Sequence, residues 1–346
     1  MSAPLALATI VAALMLVSLT AYALSGGADF GGGVWDFLAS GPRRAQQRAL
    51  ISHAIGPIWE ANHVWLIIVV VLLFTCFPPA FALLAITLHI PLALMLIGIV
   101  LRGSAFAFRT YDSHQDGAQR RWGRTFAIAS TATPVLLGIC IGAITEGRLV
   151  IVPGEPFLSG FVMPWLTPFT IGVGVFALAL FAFLAAVYLT MDAPDEPLRE
   201  DFRVRALIAA AAVFVAAFGV LLLAQRAAPR MHAWLTTSIW ALPLQVATAL
   251  AALTAIWALW ARRYPLARFA AVAQVTLILW GWALALYPYI VPPTLTLEQA
   301  AAPAITLRLV LWALAIGAVV LFPSLYYLFR VFKRGEEAFD PLDREE

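Results

Sequence analysis

The sequence predicts an all-α membrane protein with nine transmembrane helices, and three observations carry that prediction. Of 346 residues, 62% are hydrophobic and only 12% charged, whereas soluble chains carry roughly 25% charged residues. Apolar runs long enough to cross a bilayer core, about 20 residues each, recur nine times along the chain. The basic residues are also unevenly placed: with the N-terminus outside, eighteen of the twenty-two Lys and Arg fall on the cytoplasmic side.

Taken in order, the runs are roughly 3–24, 53–77, 80–101, 124–146, 164–190, 205–225, 237–260, 266–290 and 308–332. The first, "MSAPLALATIVAALMLVSLTAYAL", has no basic n-region and is too long for a signal-peptide core, so it reads as a retained span. Pro78 and Pro79 make the connection between the second and third spans a tight one, and Pro91 disturbs the third. Asp192 to Arg205 is a charged connector and "EEAFDPLDREE" a polar tail. No polar segment is long enough to fold outside the bilayer, so one membrane domain covers 1–346. Within it, 1–147 holds spans one to four, 164–290 spans five to eight, 305–332 span nine, and 333–346 a cytoplasmic tail.

Charge sets the expected orientation. Arg43, Arg44, Arg48, Arg102, Arg109, Arg120, Arg121, Arg124, Arg199, Arg203, Arg205, Arg262, Arg263 and Arg268, with the basic residues of the tail, lie inside. Arg148, Arg226, Arg230 and Arg308 lie outside. The C-terminus is therefore cytoplasmic, and anionic lipid headgroups are the natural partner of this arginine excess. Nothing calls for nucleic acid. "GGADFGGG" lacks the Lys-Ser/Thr of a phosphate loop, and Cys76 and Cys140 have no metal-ligand spacing. Most tryptophans gather near span ends, as an interfacial belt does.

Chemistry concentrates in "IGPIWEANHVWLI". Glu60 is the one acid set well inside an apolar run, roughly 10–12 Å from the inner face at 1.5 Å per residue. An intramembrane carboxylate is costly and by default functional. Asp29, just past the inner end of span one, and Arg102, ending span three, fall at the same level, and His63 shares the Glu60 helix face. One reading is an inward-facing proton funnel: Asp29 at its mouth, Glu60 inside, Arg102 as counter-charge and His53 as a relay at the opening. The other is a structural cluster in which Glu60 pairs with Arg102 or is capped by Asn62. His63 and His89 lie at similar expected depths, which leaves bis-histidine haem ligation geometrically open.

The stretches "ADFGGGVW", "IGPIWEANHVWLI", "LRGSAFAFR", "TPVLLGICIGAITEG", "LTPFTIGVG" and "YPYIVPP" resemble subunit II of the cytochrome bd-type quinol oxidases. Of these, the W-D/E-x-N-x-V-W-L-I string is the most specific, and His63 and His89 look like the cyanide-insensitive-type branch. The resemblance implies two four-helix bundles plus a ninth helix. It also implies a larger subunit I that carries the b and d haems and the quinol site, so that this chain holds no haem or metal. The complex would oxidise quinol and reduce O₂ to water in a prokaryotic cytoplasmic membrane, drawing protons from the cytoplasm past positions matching Asp29, Glu60 and Arg102. A small single-span accessory subunit and a quinone lodged in this chain are also within the family's range, the latter assignable to no residue. Two departures stand out: Gly26 occupies a position where some members have an acid, and Glu60 replaces a more usual aspartate. From another class, the residues also fit an independent proton-coupled transporter in which Glu60 binds and releases the proton.

Overall fold

A computed structural model describes residues 3–56, 59–111, 117–154 and 156–336; within its helices the side chains of 3–4, 59–61, 109–111, 117–120, 325 and 328–336 lie outside that description. The Glu60 side chain is therefore outside it, as are His114 and the tail beyond 336. The described residues are mostly helical. The chain runs α1 (Ala3–Phe37), α2 (Arg44–Ile55), α3 (Trp59–Cys76), α4 (Pro78–Thr87), α5 (His89–Tyr111), α6 (Gly117–Glu146), α7 (Phe157–Phe161) and α8 (Pro168–Asp192). It continues through α9 (Glu196–Ala227), α10 (Pro229–Thr237), α11 (Ala241–Trp260) and α12 (Tyr264–Leu286). A short hairpin, β1 (Tyr289–Val291) with β2 (Leu295–Thr296), and α13 (Leu297–Ala300) then lead to α14 (Ala304–Glu336).

Among the described residues eight helices are long and apolar enough to cross a membrane; α3 and α4, bent by 116° at their junction, bring the number to nine if they form one span. The bend changes two expectations. Pro78 and Pro79 do not close a tight turn between two spans; they open α4 as a separate ten-residue helix. The third span is α5, so it starts at His89 and not at 80, and Pro91 lies in its first turn, where a missing N–H costs little. Span eight also ends earlier than expected, at Leu286, because "YIV" pairs as a strand.

The larger correction concerns α1. Its apolar run ends near Leu24, yet the helix continues through "GGADFGGG" to Phe37. Glycine inside a helix costs about 1 kcal/mol relative to alanine, so packing must supply the difference. It does so against α8, the most enclosed helix, where every residue from Leu180 to Val187 is buried. At Gly31 a Cβ would land on the Phe181 carbonyl, so this approach of α1 to α8 is open to glycine alone. Trp35 fastens the same contact by donating its indole N–H to the Ala182 carbonyl at 2.7 Å.

The core divides towards two ends. One cluster joins α1, α2, α8, α9 and α12 around Phe30, Phe181, Phe183 and Phe202. The other joins the start of α1 to α3, α4, the hairpin and α14 around Leu72, Phe77 and Leu149. The first end is arginine-rich, and its arginines are used internally. Arg43 grips Asp201 through two nitrogens at 2.8 and 2.5 Å, Gln47 joins the same carboxylate at 2.9 Å, and Arg205 reaches Gln47 at 2.7 Å. Arg199 satisfies the Thr190 and Ala193 carbonyls that α8 leaves unpaired at its end.

Gly31→Ala tests the packing argument, because helix propensity and close approach give it opposite signs. Overpacking outweighs propensity here, so the purified protein should lose about 1–3 kcal/mol of stability. Thermal unfolding in detergent reads this as a lower midpoint; a raised midpoint would show that α1 and α8 are free to separate.

Candidate functional site

The residues that sequence reasoning placed at span ends are helix-interior residues. Asp29 lies eight positions before the end of α1, and Arg102 nine before the end of α5. Each is 1% exposed. They form an ion pair between Arg102 Nη2 and Asp29 Oδ1, and the same nitrogen lies 3.4 Å from the Asp29 carbonyl. Asp29, expected just past the inner end of span one, lies buried inside α1 instead, for a simple reason. A polar residue beyond an apolar run does not end a span when a neighbouring helix supplies its counter-charge.

Other groups complete the setting of Arg102. Its Nε donates to Ser130 Oγ of α6 at 3.1 Å, and the guanidinium lies over the Phe30 and Phe126 rings at 4.8 and 5.2 Å. Aromatic faces favour a desolvated cation by a further fraction to about 2 kcal/mol each. Because α5 packs along α6, it is the length of the arginine side chain that carries the charge across to α1. Ser130, Phe30 and Phe126 were not singled out from the sequence. Phe30 is adjacent to Asp29, and Ser130 with Thr133 forms a polar i, i+3 pair in an apolar run, so both left a faint signal.

Charge balance around Asp29 is met, but its hydrogen bonding is not. Asp29 Oδ2 has no partner among the described residues, and neither has Asn62 Nδ2, both being buried. Asn62 faces the carboxylate from α3 while falling short of hydrogen-bond geometry, and half-buried His63 lies within electrostatic reach of both members of the pair. Buried polar atoms are rarely left unpaired, so two facing one another are informative. Glu60 lies two residues before Asn62 in the first turn of α3, with its side chain outside the described residues. Arg102, one of its two expected partners, is held by Asp29. His53 is exposed in the last turn of α2.

The paired depths of His63 and His89 do not bring them to one centre. His63 stands beside the ion pair, whereas His89 is bonded through Nδ1 to the Ile86 carbonyl at 2.8 Å and meets the Phe161 ring edge-on. The break before α5 places His89 in other surroundings.

A largely apolar cavity of about 500 Å³ opens between α1, α6, α8, α9, α10, α11 and α12. Its polar lining side chains are few: Tyr22, Thr145, Gln245, Thr248 and Trp282.

A multi-helix membrane protein with a buried ion pair beside unpartnered polar atoms is the class these features define. The family profile described as cytochrome bd terminal oxidase subunit II matches residues 7–332, and the chain belongs to that family. Cytochrome bd ubiquinol oxidase subunit 2 of Bacillus subtilis (strain 168) is 33% identical over 122 residues, 35% of each chain. Cytochrome bd-I ubiquinol oxidase subunit 2 of Escherichia coli (strain K12) is 26% identical over 183 residues, 52% of this chain and 47% of that one. The chain thus spans between about a third and a half of the length of these relatives. A chain of the bd oxidase from Geobacillus thermodenitrificans superposes with a TM-score of 0.78 at 22% identity, covering 94% of this chain and 98% of that one, which shows a shared fold.

Breaking one side of a buried ion pair costs about 3–5 kcal/mol, because the remaining charge is stranded. Arg102→Met should therefore lower the thermal midpoint of the purified protein more than the double variant Asp29→Leu with Arg102→Met. A double variant at least as unstable as the single would deny the pairing.

Proposed function

We propose that this chain is the haem-free subunit II of a bd-type terminal oxidase, a complex that oxidises quinol and reduces O₂ to water. The partner, subunit I, holds the b and d haems and performs the electron transfer. This chain braces that partner and delivers protons to it from the cytoplasmic side. One observation carries the proton reading: the fully buried Asp29–Arg102 pair leaves one carboxylate oxygen unpartnered, facing Asn62 and close to His63. A purely structural pair is expected to satisfy both oxygens. Glu60, at the head of the same helix as Asn62 and His63, is the next station towards the arginine-rich end, and His53 on α2 stands beyond it.

The different neighbours of His63 and His89 support leaving the haems to the partner. The pairing of α1, α3, α5 and α6 on one side and α8, α9, α11 and α12 on the other supports two four-helix groups within one membrane domain, with α14 as the ninth span. The arginine-rich end is taken to face the cytoplasm and its anionic lipids, with the N-terminus outside. If a quinone lodges in this chain, the apolar cavity of about 500 Å³ is the volume that suits an isoprenoid molecule. Such a molecule would supply two-electron chemistry at its ring; the lining would do no more than bind and exclude water. A small single-span accessory subunit belongs to the same proposal.

The 116° break between α3 and α4 is the feature that suits the transporter reading, since broken helices mark such sites. It occurs some 20 Å along α3 from Asn62 at 1.5 Å per residue, while α1 and α5 run unbroken past the ion pair.

Co-purification with a haem-bearing subunit, optical spectra and oxygen uptake test the proposal together. Glu60→Gln and Asp29→Asn should each slow O₂ uptake by roughly tenfold, about 1.4 kcal/mol on the barrier, with the haem content of the complex unchanged. Normal turnover in both variants would reduce these carboxylates to structural groups, and haem lost before activity would point to assembly.

A further inference from the structure

Asp29 is sealed from water, so a proton from the arginine-rich end must first meet a group nearer the surface. Asp36, a second buried acid of α1, is such a group. It follows Asp29 by seven residues, two helical turns, so the two carboxylates leave the same face, about 10 Å apart along the axis. Asp36 is itself 1% exposed. Its counter-charge differs in kind from that of Asp29. Arg102 is buried with its partner, whereas the Arg48 side chain is 35% exposed and reaches from Asp36 to the surface. Arg48 Nε stands 3.7 Å from Asp36 Oδ1, longer than a hydrogen bond, and Arg48 donates to the Asp36 backbone carbonyl at 3.3 Å. Asp201, at the same end, is instead gripped by two nitrogens of Arg43 at 2.8 and 2.5 Å, as in a structural clamp.

The segment facing this part of α1 puts the acids in order. Arg48, Ile51 and Ile55 share one face of α2. Arg48 meets Asp36, while Ile51 and Ile55 press on Gly32, where an added Cβ would come within 2.8 Å of Ile55 Cδ1. So α2 runs antiparallel to the end of α1, and α3 continues in that direction: Asn62 faces Asp29, and Leu72 packs with Ala8 and Val11. Glu60 falls between Ile55 and Asn62 in the chain, and therefore between the levels of Asp36 and Asp29. The isoleucines packed on Gly32 leave no room for a wide water channel there, so a proton passing this level needs groups that carry it. At the inner end of the stretch an acceptor stands unmet, the buried Asp29 Oδ2.

We propose that Asp36 is the proton-entry residue of this subunit, taking protons from water beside Arg48 and passing them inward to Glu60 and Asp29. While waiting, Asp36 is a carboxylate whose charge Arg48 balances. A hydronium ion on the Arg48 side gives up a proton, an O–H bond forms on Asp36, and a water molecule remains. That O–H bond breaks as the Glu60 carboxylate gains a proton, directly or along water. Asp36 is then a carboxylate again, Glu60 is neutral, and one proton has crossed the level of Gly32. The inference rests on the proton-delivery reading above and adds its first station.

Asp36→Asn in the assembled, detergent-purified oxidase removes the carboxylate at nearly constant volume. Oxygen uptake should fall about fivefold, equivalent to about 1 kcal/mol on the barrier, with optical haem content unchanged. Acetate, added at constant pH and ionic strength, should raise the uptake of this variant at least about twofold and leave the wild type unchanged. A diffusing carboxylic acid can bring protons to the altered site but cannot restore packing. Asp36→Glu, which keeps the carboxylate, should stay within about twofold of wild type. Asp201→Asn, which breaks the Arg43 ion pair at the same end, should gain nothing from acetate. Wild-type uptake in Asp36→Asn beside a slow Asp29→Asn would overturn the entry role and leave the path through Asp29 standing. Wild-type uptake in both would overturn the path as well. A slow Asp36→Asn that acetate does not restore, or one that has lost haem, would make Asp36 a structural acid and overturn the proposal.

Discussion

The Asp29–Arg102 pair is the interaction on which the rest of this structure depends. Either charge alone in an apolar interior would cost several kcal/mol, and their attraction offsets that cost only while the geometry holds. The arginine must extend from α5 to α1, with Ser130 of α6 steadying its Nε and two phenylalanine rings flanking its guanidinium. Three helices are thereby placed relative to one another by a single side chain. The pair also lets α1 and α5 carry a charge beyond their apolar stretches, because each charge meets the other.

Close packing of α1 on α8 makes the arrangement rigid. Glycines along one stretch of α1 bring its backbone against Phe181, and Trp35 bonds to a carbonyl in the middle of α8. In a membrane, lipid offers no hydrophobic drive between helices, so small residues and interhelical hydrogen bonds carry the association. The same stretch is thus both a packing surface and the carrier of Asp29, which ties the position of the carboxylate to a close helix contact. At the arginine-rich end, Arg43, Gln47, Arg205 and Asp201 lock α2 to α9. That end combines a cytoplasm-type charge excess with internal ion pairing.

An ion pair that is complete in charge but incomplete in hydrogen bonds differs from a simple structural clamp. Asp29 presents one oxygen to Arg102 and keeps the other towards α3, where Asn62 and His63 converge. Such a carboxylate has its charge compensated and still retains a site at which a proton or a water can be exchanged. The proposed proton delivery would require those two properties together.

An all-α membrane protein with many spans, the segregation of basic residues and the choice of Asp29, Glu60 and Arg102 as residues to watch were all legible from the sequence. Each rests on a property of the chain in one dimension: run length, residue type or a specific string such as "WEANHVWL". What the tertiary structure alone decided is which charges meet. The polar residues after Leu24 and at Arg102 read as span ends because a local window weighs each charge as if it faced lipid or water by itself. Folding brings them together, and the compensated pair becomes cheaper inside than either charge would be alone. The break at Phe77 and the separate surroundings of His63 and His89 share that origin. All of them depend on how far a side chain reaches across to a neighbouring helix or along its own, a distance that no reading of the order of residues contains.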